Sequence, residues 1–413
     1  MASWTVSYGG LMRGFEVNAG QLCLGGVPLS RLAERAGQTP FFAIERLSLA
    51  RRVEEVRGVL PPVFHLHYAV KANPMPALLS WLASRVDGMD VASAAELTAA
   101  LNAGGAPQSI SFAGPAKRDA ELRQAVAAGV LLHVESLAEL NRIIVVSEQL
   151  HIRARVGLRV NPDVELRTAG MRMGGAGQVF GLDAADVPEA LTLAAHPALL
   201  FEGFHVYAGS QVLQAEVLLQ AMHRTLDMLK AWQPMLPAPV RSLNLGGGWG
   251  IPYFAHEQAL DLAPMRTGLE VIGQRVAREW PQARVVIELG RFLVGEAGIY
   301  VAQVMERKVS SGRVHVVIDG GMHHHLAASG NLGQVLRRPY PMCLGNRLHA
   351  GLPTEDVTVS GPLCTPLDTF GQAVTLPRAS PGDLLVVFQS GAYGASASPA
   401  AFLSHPAAVE LLV

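Results

Sequence analysis

The chain has 413 residues, half of them hydrophobic and 16% charged, with a formal net charge of −1. That is more chain than one core holds, so about two domains are expected, and the near-neutral balance without long like-charge runs speaks against nucleic acid or an anionic membrane as partner. Three cysteines, Cys23, Cys343 and Cys364, lack metal-type spacing and are odd in number, so neither a metal site nor a disulfide framework is expected, and a cytoplasmic setting fits best. No stretch reaches the ~18 unbroken apolar residues of a membrane span, and the N-terminal MASWTVSYGG lacks the order of a signal peptide.

In chain order, the first 38 residues carry short strand-and-turn signals. From residue 39 to 292, apolar β-rich runs then alternate with helical stretches such as AAELTAALNAGG. Strand candidates fall at 63–70, 86–91, 109–113, 130–134, 154–160, 201–207, 241–245 and 284–288, and this alternation over ~250 residues is the arithmetic of a (β/α)8 barrel; an open doubly wound sheet is the alternative. From 293 to 413 the texture changes to strands and turns, as in GIYVAQVMERKVS and GDLLVVFQSGAYG, which predicts a β-rich barrel or sandwich domain that also takes in residues 1–38.

Functional residues of such barrels gather at the C-terminal ends of the strands. Those ends carry Lys71, Asp90, His133, Arg159, Asn161, His205, Tyr207, the triplet Gly246-Gly247-Gly248 and Glu288. Lys71 closes an apolar run just before Asn73-Pro74. A lysine ending a buried strand is costly unless its amine has a task, and such amines form Schiff bases; a snorkelling surface lysine is the rival reading. The glycines of LNLGGGWGIPY, together with Gly290-Arg291, fall where these barrels bind phosphate. A phosphate, a Schiff-base lysine and an opposing carboxylate together suggest pyridoxal phosphate, with Glu288 holding the proton of the pyridine nitrogen; a structural salt bridge from Glu288 to Arg291 or Arg159 is the rival.

YAVKANP, VASAAEL, FHVYAGSQ, LNLGGGWGIPY, IELGR, VIDGGM, SGPLCTPLD and SGAYG occur in an order that resembles the fold type III pyridoxal-phosphate decarboxylases, the diaminopimelate and ornithine decarboxylase family with its alanine-racemase-like barrel, over essentially the whole length. GGMHHH, GPLCTP and PYFAHE are similar to the subgroup that includes the glutamyl-carrier-protein decarboxylase of butirosin biosynthesis and the exosortase-associated decarboxylases. The resemblance implies that Lys71 holds the cofactor and Glu288 pairs with its ring nitrogen. It puts Ser210, Gly247, Gly248, Gly290, Arg291 and Tyr393 around the phosphate, and Asp90 and Glu96 in support of the lysine and ring. Cys364 is implied to cross from the partner of a homodimer with shared active sites and to help protonate the substrate carbanion. Arg337, Arg338 and Tyr340 fall where the family binds the distal end of the substrate; solvated arginines are the rival reading.

Two departures matter. Tyr207 stands where the family stacks a histidine on the pyridine, with His205 two residues earlier on the same strand face. After Cys364, where the family carries a carboxylate for the substrate's distal ammonium, this chain has Thr365, which disfavours both diamino acids. The expected activity is α-decarboxylation of a small amino acid or of an aminoacyl group on an acyl carrier protein. Alternatives are a diaminopimelate decarboxylase, an amino-acid racemase, which the acid at Glu288 disfavours, and a non-catalytic binding relative. The run His323-His324-His325 is read as a polar loop rather than a metal site, because adjacent residues do not share a face.

Overall fold

The computed structural model describes residues 15–162, 171–172, 179–332, 334 and 337–413. The chain divides into two units, one formed by Val53–Gly250 with Ala259–Gly290, the other by Met1–Arg52, Ile251–Gln258 and Arg291–Val413.

The first unit is a closed barrel of eight parallel strands. They are β1 (Phe64–Ala69), β2 (Gly88–Val91), β3 (Ile110–Phe112), β4 (Leu131–Val134), β5 (Ala154–Arg159), β6 (Leu199–His205), β7 (Ser242–Gly247) and β8 (Arg284–Leu289). Each pairs with its neighbours in sequence, and β8 closes on β1. All eight lie where the apolar runs predict them. Helices such as Pro76–Ala83, Ala94–Asn102, Asp119–Ala128 and Leu137–Leu150 separate consecutive strands, as parallel pairing requires.

Strands covered by helices outside and by one another inside read as nearly continuous Val, Ile and Leu, and most of this barrel does. The exceptions are the buried polar residues His67, Asp90, Ser111, His133, Arg159, His205, Ser242, Asn244 and Glu288. Ionisable groups held away from water must be partnered or must change their protonation, so this interior belongs to the site.

The second unit is built on an eight-stranded sheet. Gly298–Ser310 runs antiparallel to both Arg313–Ile318 and Leu384–Val387, and Thr354–Ser360 joins Arg313–Ile318 to Thr369–Pro377. Phe41–Ile44, which the sequence reading places in the barrel's range, pairs instead with Gly298–Val301 and with Val409–Leu412. Of the N-terminal segment, residues 1–14 lie outside the described residues. The remainder forms the small antiparallel sheet Glu16–Asn18, Gln21–Leu24, Val27–Pro28 and an unforeseen helix, Leu29–Ala36. Leu22, Leu24, Leu29, Leu32, Phe41, Ile299, Val301 and Val386 share this unit's core.

Candidate active site

Lys71 sits in a 3-10 turn, Val70–Ala72, immediately after β1. The turn is fastened around Asn73, whose carbonyl accepts from Tyr68 Oη at 2.9 Å and whose Oδ1 accepts from the Met75 N–H at 3.0 Å. The lysine side chain itself is exposed, so the expectation of a buried amine is corrected: strand β1 is buried, but the turn carries Lys71 out of it. Its Nζ lies 5.6 Å from the centroid of the Tyr207 ring, within cation–π range. Tyr207 Oη is in turn 2.9 Å from Ser210 Oγ.

Glu288, near the end of β8, is buried, and its Oε1 is 3.2 Å from His205 Nε2. Burial alone would raise its pKa, but His205, Lys71 and Arg159 outweigh that and hold the carboxyl well below the usual range. The partner of Glu288 is thus His205, not Arg291 or Arg159 as the salt-bridge reading has it. His133 packs its ring 4.5 Å from that of His205, and burial, then His205, hold it well below the ordinary imidazole range.

Asp90 is occupied inside the barrel. Its Oδ1 lies 3.1 Å from His67 Nδ1 and also accepts from the Ser111 hydroxyl, while Oδ2 has no hydrogen-bond partner among the described residues. The expected support for the cofactor lysine is therefore not a direct bond to Lys71. Glu96 starts a helix: it accepts from the Ala92 N–H at 2.7 Å while its own N–H donates to Ser93 Oγ at 3.2 Å. Burial raises its pKa, against that backbone bond and the nearby charge of Lys71.

The same device recurs two strands later, unnoticed in the sequence. VESLAEL repeats VASAAEL, and Glu139 accepts from the Glu135 N–H at 2.9 Å while donating its own N–H to Ser136 Oγ at 3.1 Å. Here a buried lysine answers it: Lys117 Nζ donates to Glu139 Oε1 at 2.6 Å and to the carbonyls of Gly114 and His133 at 2.8 and 2.9 Å. Arg159 Nη1 donates to Glu135 Oε1 at 2.7 Å, and both are buried. The repeated motif is the signal that could have found Glu135 and Glu139; nothing local marks Lys117.

Glycines set the walls. A Cβ on Gly247 would stand 1.8 Å from the Glu288 carbonyl and one on Gly248 2.1 Å from that of Gly209, so only glycine lets β7 pass this close to its neighbours. Gly248 also has φ +76°, and a Cβ on Gly290 would meet that of Ala72 at 2.8 Å. Inside the barrel, a Cβ on Gly88 would lie 2.5 Å from the His67 ring and one on Gly157 3.1 Å from His133 Nδ1, so two imidazoles lie against glycines of adjacent strands.

In the β-rich unit, Arg291 hydrogen-bonds Tyr253 Oη and lies 4.6 Å from the Tyr393 ring. Burial would lower its pKa, but the tyrosines, Tyr253 first, more than offset this and keep it charged. Tyr340 is buried against Tyr253, ring centroids 4.6 Å apart. Arg337 and Arg338 are exposed, donating to Asn331 Oδ1 at 2.7 Å and to His256 Nε2 at 2.8 Å. Cys364 is a free, exposed thiol. Thr365 Oγ1 accepts from the Leu367 N–H at 3.3 Å. The histidine run lies in a turn, but it is buried rather than solvated: His323, His324 and His325 are all buried, with His325 accepting from the Ala328 N–H at 3.3 Å and lying 3.0 Å from Ser390 Oγ. No group of three metal-binding side chains occurs among the described residues.

The barrel residues fit pyridoxal phosphate: an accessible amine beside an aromatic ring, an ionised buried carboxylate within electrostatic reach of that amine, and glycine turns at the ends of β7 and β8.

The model of the pyridoxal-dependent decarboxylase pyridoxal-binding domain matches residues 46–295. The L-glutamyl-[BtrI acyl-carrier protein] decarboxylase of Niallia circulans is 37% identical over 380 residues, 91% of this chain and 89% of that one. The diaminopimelate decarboxylase of Zymomonas mobilis is 30% identical over 97% of this chain and 93% of its own. Among solved structures, the diaminopimelate decarboxylase of M. jannaschii superposes with a TM-score of 0.86 at 25% identity, covering 97% of this chain and 93% of that one. The Helicobacter pylori enzyme complexed with L-lysine gives 0.82 at 26%, covering 93% and 94%. The chain belongs to the pyridoxal-dependent decarboxylase family of fold type III, and is a carboxy-lyase that uses pyridoxal phosphate.

Proposed function

We propose that this decarboxylase acts on an amino acid or aminoacyl group whose distal end is neutral or acidic, with an aminoacyl group on an acyl carrier protein as the favoured form. The observation that carries the reading is the Cys364–Asp368 loop. Thr365 replaces the family's distal carboxylate, and the loop's own acid, Asp368, is buried and used by the backbone: Oδ1 accepts from the Met322 N–H at 2.6 Å and Oδ2 from the Leu363 N–H at 2.9 Å. A distal ammonium would lose its water there without a compensating charge. The name of the Niallia circulans relative, a decarboxylase of a carrier-bound glutamyl group, supports the tethered form. The diaminopimelate decarboxylases among the relatives favour a second reading, a free diamino acid.

Pyridoxal phosphate, when bound, supplies the electron sink for the pair released with carbon dioxide. Lys71 would hold it covalently, Tyr207, whose ring lies beside that amine, would pack against the cofactor ring, and Glu288 would hold a proton at the ring nitrogen. Ser210, Gly247, Gly248 and Gly290 serve the phosphate, joined on the family likeness by Arg291 and Tyr393. Asp90 and Glu96 set the surroundings of the amine. Cys364 returns a proton to the substrate carbon after carbon dioxide leaves. Arg337, Arg338 and Tyr340 are assigned to the distal end on likeness alone. We further propose a homodimer with shared sites, supported by the exposed position of Cys364, in a cytoplasmic setting; no helix among the described residues is long and apolar enough to cross a membrane.

The test has three parts. The purified protein should show a visible band that borohydride abolishes and that Lys71→Ala lacks. Carbon dioxide release from free and carrier-loaded amino acids should favour substrates without a distal cation; efficient turnover of free diaminopimelate would refute the substrate assignment. Mixing inactive Lys71→Ala and Cys364→Ala chains should restore part of the activity, and a strictly additive null result would refute the shared site.

A further inference from the structure

Glu288 is backed by two histidines in a row. Its Oε1 lies 3.2 Å from His205 Nε2, the His205 ring lies 4.5 Å from that of His133, and all three residues are at most 7% exposed. Groups from four elements act on this carboxyl: His205 ending β6, Lys71 after β1, Arg159 ending β5 and His133 on β4. Arg159 is committed to Glu135, and Lys71 is assigned to the cofactor, so His205 is the one side chain among the described residues that hydrogen-bonds Glu288. On its far side, His205 Nδ1 has no hydrogen-bond partner among the described residues, and neither has His133 Nδ1. The His133 ring is wedged between His205 and the bare backbone of Gly157, where a Cβ would come within 3.1 Å of it. Packing therefore holds His205 against the acid.

We propose that His205 is the positioning residue for Glu288. Its Nε2–H occupies one carboxylate oxygen, keeps the acid ionised in a buried setting and leaves the other oxygen for the pyridine nitrogen, while His133 acts as an uncharged wedge that fixes the His205 ring. The inference rests on the reading of Glu288 as the ring-nitrogen partner. It removes His205 from direct chemistry and gives His133, which carries no role in the family likeness, a function. Burial drives a carboxyl toward its neutral form, and a neutral acid neither draws a proton onto the ring nitrogen nor retains it there. Without the His205 donor, burial wins.

The experiment uses the holoenzyme with His205→Leu, His205→Gln, His133→Leu and Glu288→Gln. Infrared difference spectra at neutral pH should show a protonated-carboxyl band in His205→Leu that is missing in wild type, missing in His205→Gln, whose amide still donates, and removed by adding Glu288→Gln. The kcat/KM of His205→Leu should fall roughly tenfold or more at low pH and recover as pH rises and Glu288 ionises again, whereas a merely structural loss would be the same factor at every pH. No new band together with a wild-type pH profile would overturn the proposal. If His205→Leu does not fold, His133→Leu is read instead; it should show a weaker form of the same band, and its absence is equally fatal. Should Glu288→Gln keep wild-type kcat and visible spectrum, the ring-nitrogen assignment itself fails. An inactive Glu288→Gln beside a silent His205→Leu sinks only the present inference.

Discussion

Acid should loosen the β-rich unit through two buried imidazoles, and His323 allows a clean measurement. Burial pushes His323 down to about 4, helped by His324 and His405, and pushes His325 down to about 3. An imidazole in an unfolded chain titrates near ~6.5. A folded-state pKa below the unfolded one means that the unfolded chain takes up protons first, so stability that is complete above about pH 6.5 is lost as pH falls toward the folded values. At about pH 4.5 the unfolded state is some two pH units past its pKa while both native rings remain largely neutral. At ~1.4 kcal/mol per unit that costs about 2.5 kcal/mol for each histidine, roughly 5 kcal/mol for the pair. His323 is fully buried and neither ring nitrogen has a hydrogen-bond partner among the described residues, so His323→Leu should be neutral or stabilising near pH 7. Urea unfolding of wild type and variant at about pH 7 and pH 4.5 should show the variant losing about 2.5 kcal/mol less on acidification. Other acid-sensitive groups act equally in both chains and cancel. An identical loss would refute the argument.

Three further outcomes follow from the geometry. Arg159→Met strands the buried Glu135 carboxylate and should destabilise the barrel by ~3–5 kcal/mol in urea unfolding, with Glu135→Leu added to it recovering much of the loss; additive penalties would show that the two are not coupled. Gly247→Ala forces a methyl group against the Glu288 carbonyl and should cost about 1–3 kcal/mol and weaken cofactor retention, seen as a lower visible absorbance per chain after dialysis. Thr365→Glu restores a carboxylate to the distal position and should raise kcat/KM for a diamino acid roughly tenfold; no change would place the specificity determinant outside this loop.

The eight barrel strands were legible because each is a short apolar run, and Lys71, the glycine triplet and Glu288 because polar or bare residues end such runs abruptly. What a run cannot reveal is its partner. Phe41–Ile44 looks like any barrel strand, and only its pairing with Gly298–Val301 assigns it to the other unit. The Lys117–Glu139 and Arg159–Glu135 pairs join residues from different strands and loops, which local composition does not encode. His323, His324 and His325 misled for the opposite reason: a run of polar letters reads as surface, yet neutral imidazoles are accommodated in a core. The Thr365 departure was legible, but the commitment of Asp368 to the Met322 and Leu363 backbone, which leaves the loop without a spare acid, needed coordinates.

The histidines that lie on glycines make substitutions at two places interdependent. Space for the His133 ring is supplied by the missing side chain of Gly157, and space for His67 by that of Gly88. Neither member can be altered freely: alanine at 157 would push on the ring, and a small residue at 133 would leave a void over bare backbone. A library randomised at 133 and 157 together should therefore return compensating pairs, large opposite small, rather than two independent preferences, and the tolerance of each position would be set by a residue on the neighbouring strand.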